Sequence, residues 1–370
     1  MLSKNTIAQV GKNIRRLYGV LKTRNKLWWL VLTMAIALAA CTLTPEKASQ
    51  PTTAPNSPSP TISSTQSPAV QLPVSPEIKA TRPWKFVIAI RERLIGEGKF
   101  ANPYWDTVWE SAQKAAADFG VEVALLPNPC QTCVTEQITA IDALTRPPKV
   151  DGLIIAVADS EALVPVVEKV IAAGTPVIAI DTLLNTDRLL TFMGFDNFAG
   201  AKALGEWVAN QLKGQGQVAI LNGFLDQQNA IGRRNGFLAG LQQGNIEIVA
   251  TGVANWKTDL AQQLSAEWLT RYPNLKAIVS ANDDMALGAI AAAKAAKSSV
   301  LITGFDANAE ALDAIKNGQM GATISQLMDR QTRLSIQLLI RHLEKKETFP
   351  PFVTLSEVSV ISKDNISNYR

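Results

Sequence analysis

At 370 residues the chain is long enough for two domains of ordinary size, and 47% hydrophobic with 18% charged residues is the composition of a globular protein. The net charge of +4 would point to acidic partners, but residues 1–40 carry seven Lys or Arg and no Asp or Glu. The remainder holds 29 basic against 32 acidic residues, about −3, which excludes the electrostatic footprint of a nucleic-acid binder.

The first forty residues read as a targeting segment. A basic region ends at Lys26, and an apolar run of 14 residues, Leu27 to Ala40, follows. Its length fits a signal h-region and is short for a bilayer-spanning helix. The run ends in Leu38-Ala39-Ala40-Cys41, which resembles the lipobox of bacterial lipoproteins. That resemblance implies cleavage before Cys41 and a lipid on its sulfur. The competing reading is an uncleaved anchor that ends at a chance cysteine. Residues 42–83 hold nine of the 19 prolines and many Ser, Thr and Gln. Such a segment cannot bury enough apolar area to offset its ordering entropy, so an extended, disordered tether is expected.

From Trp84 onward strand-like and helix-like stretches alternate. The apolar runs predict strands over 85–91, 121–126, 151–157, 176–180, 217–222, 246–251, 276–280, 299–305 and 320–325. Helices are predicted over 103–119, 134–145, 160–173, 198–212, 229–243, 258–271, 282–296, 307–317 and 327–345. Runs such as Leu153-Ile154-Ile155-Ala156-Val157 do not alternate with polar residues, so both sheet faces should be covered. That pattern predicts an α/β fold with doubly wound parallel sheets, and nearly 290 residues of it predict two sheets. Asn102-Pro103 reads as an N-cap before a proline at the first helical position. Asn282 and Asp306 stand where strands turn into helices, a place for helix caps and for ligand contacts alike. Cys130 and Cys133 remain after Cys41. A local disulfide is expected outside the cytoplasm, against two free thiols or a redox pair. With the single His342, on a helix expected to be exposed, they make no zinc set, and no metal or cofactor is expected.

Several segments together resemble the periplasmic sugar-binding proteins of the ribose-binding type, a type I periplasmic-binding fold belonging to ABC transporters. They are Ala101-Asn102-Pro103-Tyr104-Trp105, Asp151-Gly152-Leu153-Ile154-Ile155, Gly174-Thr175-Pro176-Val177-Ile178-Ala179-Ile180-Asp181, Gly194-Phe195-Asp196-Asn197, Ala281-Asn282-Asp283-Asp284-Met285, Thr303-Gly304-Phe305-Asp306 and Gly321-Ala322-Thr323-Ile324-Ser325-Gln326. The resemblance implies two lobes joined by three crossovers, near Asp196, Gln326 and Phe349-Pro350-Pro351. One lobe would be 84–195 plus 327–349, the other 196–326 plus 350–370. It implies ligand contacts from Asn102, Tyr104, Trp105, Asp181, Trp256, Asn282, Asp306 and Gln326.

Asp, Asn and Gln can pair hydroxyls that both donate and accept, and Tyr104, Trp105 and Trp256 can stack on the C–H faces of a sugar ring. Three positions depart from the ribose pattern. Ala156 stands for a polar residue, Thr182 for an arginine, and Ile231 for another arginine, with Arg233 and Arg234 close by. The longer first loop, Arg91 to Phe100, offers Arg91, Glu92 and Arg93 either as ligand contacts or as a solvated loop. The pattern argues against ribose itself and for a monosaccharide or related polyol.

The implied function is an extracytoplasmic substrate-binding lipoprotein that closes on its ligand by a hinge. It would deliver that ligand to a permease with a separate ATPase. It would be held at the membrane only through Cys41, and it would be a monomer. A sensing partner for a chemoreceptor or histidine kinase is the alternative. The start Thr6-Ile7-Ala8-Gln9-Val10 echoes lac-repressor-type regulators but lacks a recognition helix after it. No GxxxxGK[ST] loop or His-based triad supports an enzyme.

Overall fold

The computed structural model describes residues 76–96, 99–242 and 244–369, so the signal segment, Cys41 and most of the tether lie outside the described residues. The body begins with β1 (Lys85–Ile90), a short hairpin of β2 (Leu94–Ile95) and β3 (Lys99–Phe100), and α1 (Tyr104–Phe119). There follow β4 (Glu122–Pro127), α2 (Val134–Ala143), β5 (Gly152–Ile155), α3 (Val164–Ala172), β6 (Val177–Ile180) and β7 (Thr191–Phe195). Next come α4 (Asn197–Gln211), β8 (Gln215–Asn222), α5 (Gln228–Leu241), β9 (Asn245–Val253), α6 (Thr258–Arg271) and β10 (Leu275–Ser280). The last part is α7 (Asp283–Ala295), β11 (Leu301–Thr303), α8 (Ala309–Lys316), β12 (Ala322–Ile324), α9 (Met328–Lys345), β13 (Phe352–Leu355) and β14 (Val360–Ser362).

Two six-stranded sheets result. The first has the order β13-β7-β6-β5-β1-β4 and is parallel throughout. The second has the order β14-β12-β11-β10-β8-β9, with only the edge strand β14 antiparallel. The apolar runs explain why both faces are covered. In β1, Phe86, Ile88 and Ile90 pack with α1 and α9, while Val87 and Ala89 face α2 and α3. Period-two alternation thus sends every second side chain to a different core. Each fully buried Ile or Leu of these strands stabilises the fold by about 1.5–3 kcal/mol relative to exposure. A third cluster, around Ile220, Ile278, Phe237 and Met285, fills the second sheet's lobe.

Several expectations need correction. The third crossing falls at 356–359, not at 349–351: Phe352–Leu355 pairs with Thr191–Phe195 and extends the first sheet, so residues 350–355 belong to the first lobe. Pro350 and Pro351 lack N–H groups, which an edge strand tolerates at its start. The end of the segment read as tether is also folded. Ile78 exchanges hydrogen bonds with the Gln337 side chain at 3.0 and 2.8 Å, and Arg333 grips the Glu77 carboxylate at 2.6 and 2.7 Å. A proline-rich composition hid this strap because its partners lie some 260 residues away. Helix α1 starts at Tyr104, one residue later than expected, although Asn102 Oδ1 still accepts the Tyr104 amide at 2.9 Å. His342 is half-buried rather than exposed, with Nδ1 3.0 Å from the Glu347 carbonyl. The strands β7, β13, β14 and the β2–β3 hairpin were not foreseen. Among the described residues no helix is long and apolar enough to cross a membrane.

Candidate ligand-binding site

The carboxyl ends of strands from both sheets meet in one narrow cleft. Open α/β sheets bind ligands at this edge, where strand ends and helix starts present polar groups. Ten of the residues singled out in the sequence line it, Arg91, Asn102, Tyr104, Trp105, Asp181, Arg233, Trp256, Asn282, Asp306 and Gln326, whereas Glu92 and Arg93 do not. Gln131 and Asn229 join them and were missed.

The first wall is organised around Asp181, which follows β6. Its carboxylate accepts from Arg91 Nη2 at 3.0 Å, Thr182 Oγ1 at 2.8 Å and the Tyr104 hydroxyl at 3.1 Å. Arg91 comes from the end of β1. It therefore supplies from a different strand the guanidinium that Thr182 does not. Arg91 and Glu92 are buried, at 4% and 5% exposure, so the solvated-loop reading holds only for Arg93, which is exposed. Burial, reinforced by the Asp181 charge, holds the Tyr104 phenol well above its usual pKa, so it stays a neutral donor. Tyr104 and Trp105 meet edge to face with ring centroids 4.9 Å apart.

The second wall is organised around Arg233 on α5. Its Nε donates to Asn197 Oδ1 at 2.8 Å, and its Nη1 donates to the Ala281 carbonyl at 2.6 Å and to Asp306 Oδ1 at 3.3 Å. Gln326 Nε2 donates to the same Asp306 oxygen. The departure at Ile231 is therefore made good two residues later, while Arg234 pairs with Asn235 away from the cleft. Ala156 is buried outside the lining, with its carbonyl accepting from Gln137 at 2.8 Å. Trp256 is fixed by an indole N–H bond to Gln227 Oε1 at 3.0 Å. Gly223, just after β8, makes room for that ring: a Cβ there would lie 2.1 Å from the indole.

Strain collects at this edge. Asp181, Trp256 and Asp306 have φ of 62°, 61° and 130°, a region that side chains other than glycine seldom enter. Asn282 caps α7, through Oδ1 on the Met285 amide at 3.0 Å, and also lines the cleft. Asp306 is no cap, since Asn308 holds that place for α8. Burial pushes the Asp306 carboxyl well above the usual range, against the pull of Arg233. Behind it, burial raises Asp283 to about 6 although Thr323 and the Asn308 amide bond its oxygens. Asp284, the next residue of α7, is raised to about 7 by burial and by the Asp283 charge.

Each sheet thus contributes one guanidinium–carboxylate pair, one or more amides and one indole. Paired donors and acceptors satisfy groups that both donate and accept, and the rings offer apolar faces. Among the described residues no group of three or more His, Cys, Asp or Glu is placed to hold a metal ion. A disulfide joins Cys130 and Cys133 beside the first wall.

A sequence model of the periplasmic binding protein domain matches residues 98–347. The chain is 32% identical over 254 residues to the D-ribose/D-allose-binding protein of Pseudomonas aeruginosa, covering 66% of this chain and 79% of that one. It is 30% identical over 251 residues to the xylitol-binding protein of Mycolicibacterium smegmatis, covering 66% of this chain and 70% of that one. Among solved structures, an ABC transporter periplasmic solute-binding protein from Actinobacillus succinogenes 130z with bound D-allose superposes with a TM-score of 0.72 at 27% identity, covering 77% of this chain and all of that one. The Caulobacter myo-inositol-binding protein bound to myo-inositol does so with a TM-score of 0.69 at 26% identity, covering 79% of this chain and 97% of that one.

Proposed function

The chain belongs to the periplasmic binding protein family, and from that premise we propose that it is the extracytoplasmic substrate-binding lipoprotein of an ABC-type sugar transporter. It takes a monosaccharide or related polyol into the cleft and hands it on without turnover. The observation that carries this reading is the pair of facing guanidinium–carboxylate units, Arg91–Asp181 at 3.0 Å and Arg233–Asp306 at 3.3 Å, set beside the Trp105 and Trp256 indoles. A hydroxyl placed between a guanidinium and a carboxylate donates to one and accepts from the other, so vicinal hydroxyls are matched group by group. The Arg91–Asp181 pair balances its own charge, which suits a neutral ligand. The Trp105 and Trp256 indoles favour a ligand with an apolar face. The relatives that bind D-ribose or D-allose, xylitol and myo-inositol share this ligand chemistry.

Cys41 holds the protein to the membrane through lipid alone, the residues after it serve as a tether, and the body works as a monomer outside the cytoplasm. Ligand contact with both walls is complete only when the lobes are shut, so binding favours the closed form by differential affinity. That closed form docks on a permease served by a separate ATPase.

A thermal-shift screen against pentoses, hexoses, polyols, nucleosides and amino acids tests the assignment. A ligand that binds only the folded state raises stability by about 2.7 kcal/mol at a hundredfold excess over its dissociation constant. The expected result is a shift with one sugar or polyol that Asp181→Ala and Trp256→Ala both abolish. A shift with amino acids or nucleosides alone would overturn the assigned chemistry.

A further inference from the structure

We infer that Gln131 is a further ligand-contacting residue and sets specificity in the first wall. We infer also that the Cys130–Cys133 disulfide presents it, so that cleft affinity responds to thiol–disulfide exchange. The inference rests on the sugar-binding reading above and deepens it.

Gln131 stands between the two cysteines, and its side chain lines the cleft. Its Oε1 accepts from Arg91 Nη1 at 3.4 Å and its Nε2 donates to Glu92 Oε2 at 2.7 Å. Through Arg91 it joins the chain of hydrogen bonds that ends on Asp181 and Tyr104. The 3.4 Å contact is long for a hydrogen bond, so Oε1 keeps acceptor capacity for a ligand hydroxyl. Arg91 Nε is buried and, among the described residues, has no acceptor. The corner where Arg91 and Gln131 meet is therefore rich in groups that a hydroxyl would satisfy.

The loop that carries Gln131 has no regular structure to hold it. It is held instead by the disulfide, whose Cα atoms are 5.1 Å apart, and by the buried Asn128, which donates to the Cys130 and Cys133 carbonyls at 2.7 and 3.0 Å. Asn128 is in turn tied to the first loop by its own amide, which donates to the Glu92 carbonyl at 3.1 Å. Opening the ring leaves the two residues inside it held only by hydrogen bonds, the Asn128 pair and a Cys133 amide to Cys130 carbonyl bond at 3.3 Å, and only Gln131 of these faces the cleft, since Thr132 is exposed. Both cysteines are half-buried, within reach of a small dithiol. A dithiol reduces the disulfide by two successive exchanges: a thiolate attacks one sulfur to give a mixed disulfide, and its second thiol then displaces the other. Two electrons and two protons pass to the protein as two cysteine thiols, and the dithiol leaves as a cyclic disulfide.

Calorimetric titration with D-allose, D-ribose and myo-inositol tests this on the wild type, Gln131→Ala, Thr132→Ala and Cys130→Ser/Cys133→Ser. The same titrations are run before and after dithiothreitol. For the best of the three probes, Gln131→Ala is expected to lose tenfold or more in affinity and to change the ratio of affinities among the probes. A merely structural loop residue would scale all three alike. Thr132→Ala should bind as wild type. The double serine variant and the reduced wild type should show the same reduced affinity, and dithiothreitol should do nothing further to Gln131→Ala. Wild-type affinity and selectivity in Gln131→Ala, or unchanged affinity of the wild type after complete reduction, would overturn the inference while leaving the sugar-binding reading intact. If no probe and no other sugar or polyol binds the wild type, both fall together.

Discussion

At the residue scale, the cleft's aromatic wall depends on the absence of a side chain as much as on the presence of one. Trp256 occupies space that any Cβ at position 223 would enter, at 2.1 Å from the ring. Gly223→Ala must therefore move the indole, at a typical overpacking cost of about 1–3 kcal/mol. We expect this variant to melt lower and to lose sugar affinity about as far as Trp256→Ala does. Wild-type affinity in a folded Gly223→Ala protein would show that Trp256 is a plain interface aromatic. Asp284 gives a second prediction. The carboxyl of an unfolded chain releases its proton near pH 4, whereas this one holds it to about 7. Between these values the folded state binds more protons than the unfolded state, so stability falls as pH rises through the window, by at most about 1.4 kcal/mol per unit for one group. Asp283 and Asp306, raised by burial too, add slope of the same sign. Asp284→Asn should accordingly flatten, without abolishing, the decline between pH 4 and pH 7 measured by chemical denaturation. An unchanged slope would refute the assignment.

At the element scale, the pairing of α4 with α5 is set by small residues. Added Cβ atoms would lie 2.4 Å from the Phe198 carbonyl oxygen at Gly236 and 2.2 Å from the Lys202 carbonyl oxygen at Gly240. These are backbone atoms that cannot swing aside, so Gly240→Ala should destabilise by about 1–3 kcal/mol in urea melts. Gly240 is far along α5 from Arg233, so the folded variant should keep wild-type ligand affinity. A loss of affinity without a loss of stability would contradict the purely packing role. The long elements were legible because burial leaves a periodic mark. The run Leu153-Ile154-Ile155 is apolar on both faces because helices cover both, and α6 falls on the predicted residues because its apolar positions recur at helical spacing. The short edge elements leave no such mark. Phe352–Leu355 follows two prolines and is half exposed, and only its pairing with β7 makes it a strand. Asp306 could be singled out because it follows a strand, and Asp181 and Trp256 because they fall on motif positions of the family that the chain resembles. Gln131 could not, because its place depends on a disulfide and on Asn128. The role of Arg91 as partner to Asp181 was equally hidden, since nothing in the local sequence says that residues 90 positions apart meet at 3.0 Å.

At the scale of the whole molecule, the cleft belongs to neither lobe. Asp181, Arg91 and Trp105 come with the first sheet, and Asp306, Arg233 and Trp256 with the second. The connections between them are three short crossings. At the first, Asp196 caps α4 through the Ala199 amide at 2.9 Å, while its own amide donates to the Leu355 carbonyl of β13 at 3.2 Å. The second contains Leu327 with φ 56°, a left-handed residue between β12 and α9. The third, at 356–359, is held to α9 by the exposed Arg330–Glu357 pair at 2.7 Å, which contributes little to rigidity. On the proposed hinge closure, the lobes would rotate about these three segments without breaking a sheet, and a ligand would drive that rotation only through contacts it makes with both walls. Small-angle scattering should therefore show a smaller radius of gyration when the ligand that shifts the melt is saturating. A compact body of this size lies near 19 Å. Asp306→Ala keeps the first wall and removes an anchor from the second. It should bind more weakly and, even at saturation, compact less than the wild type. Equal radii for the free and saturated wild type would exclude closure as the means of recognition, whereas compaction retained in full by Asp306→Ala would move the closing contact elsewhere in the second wall.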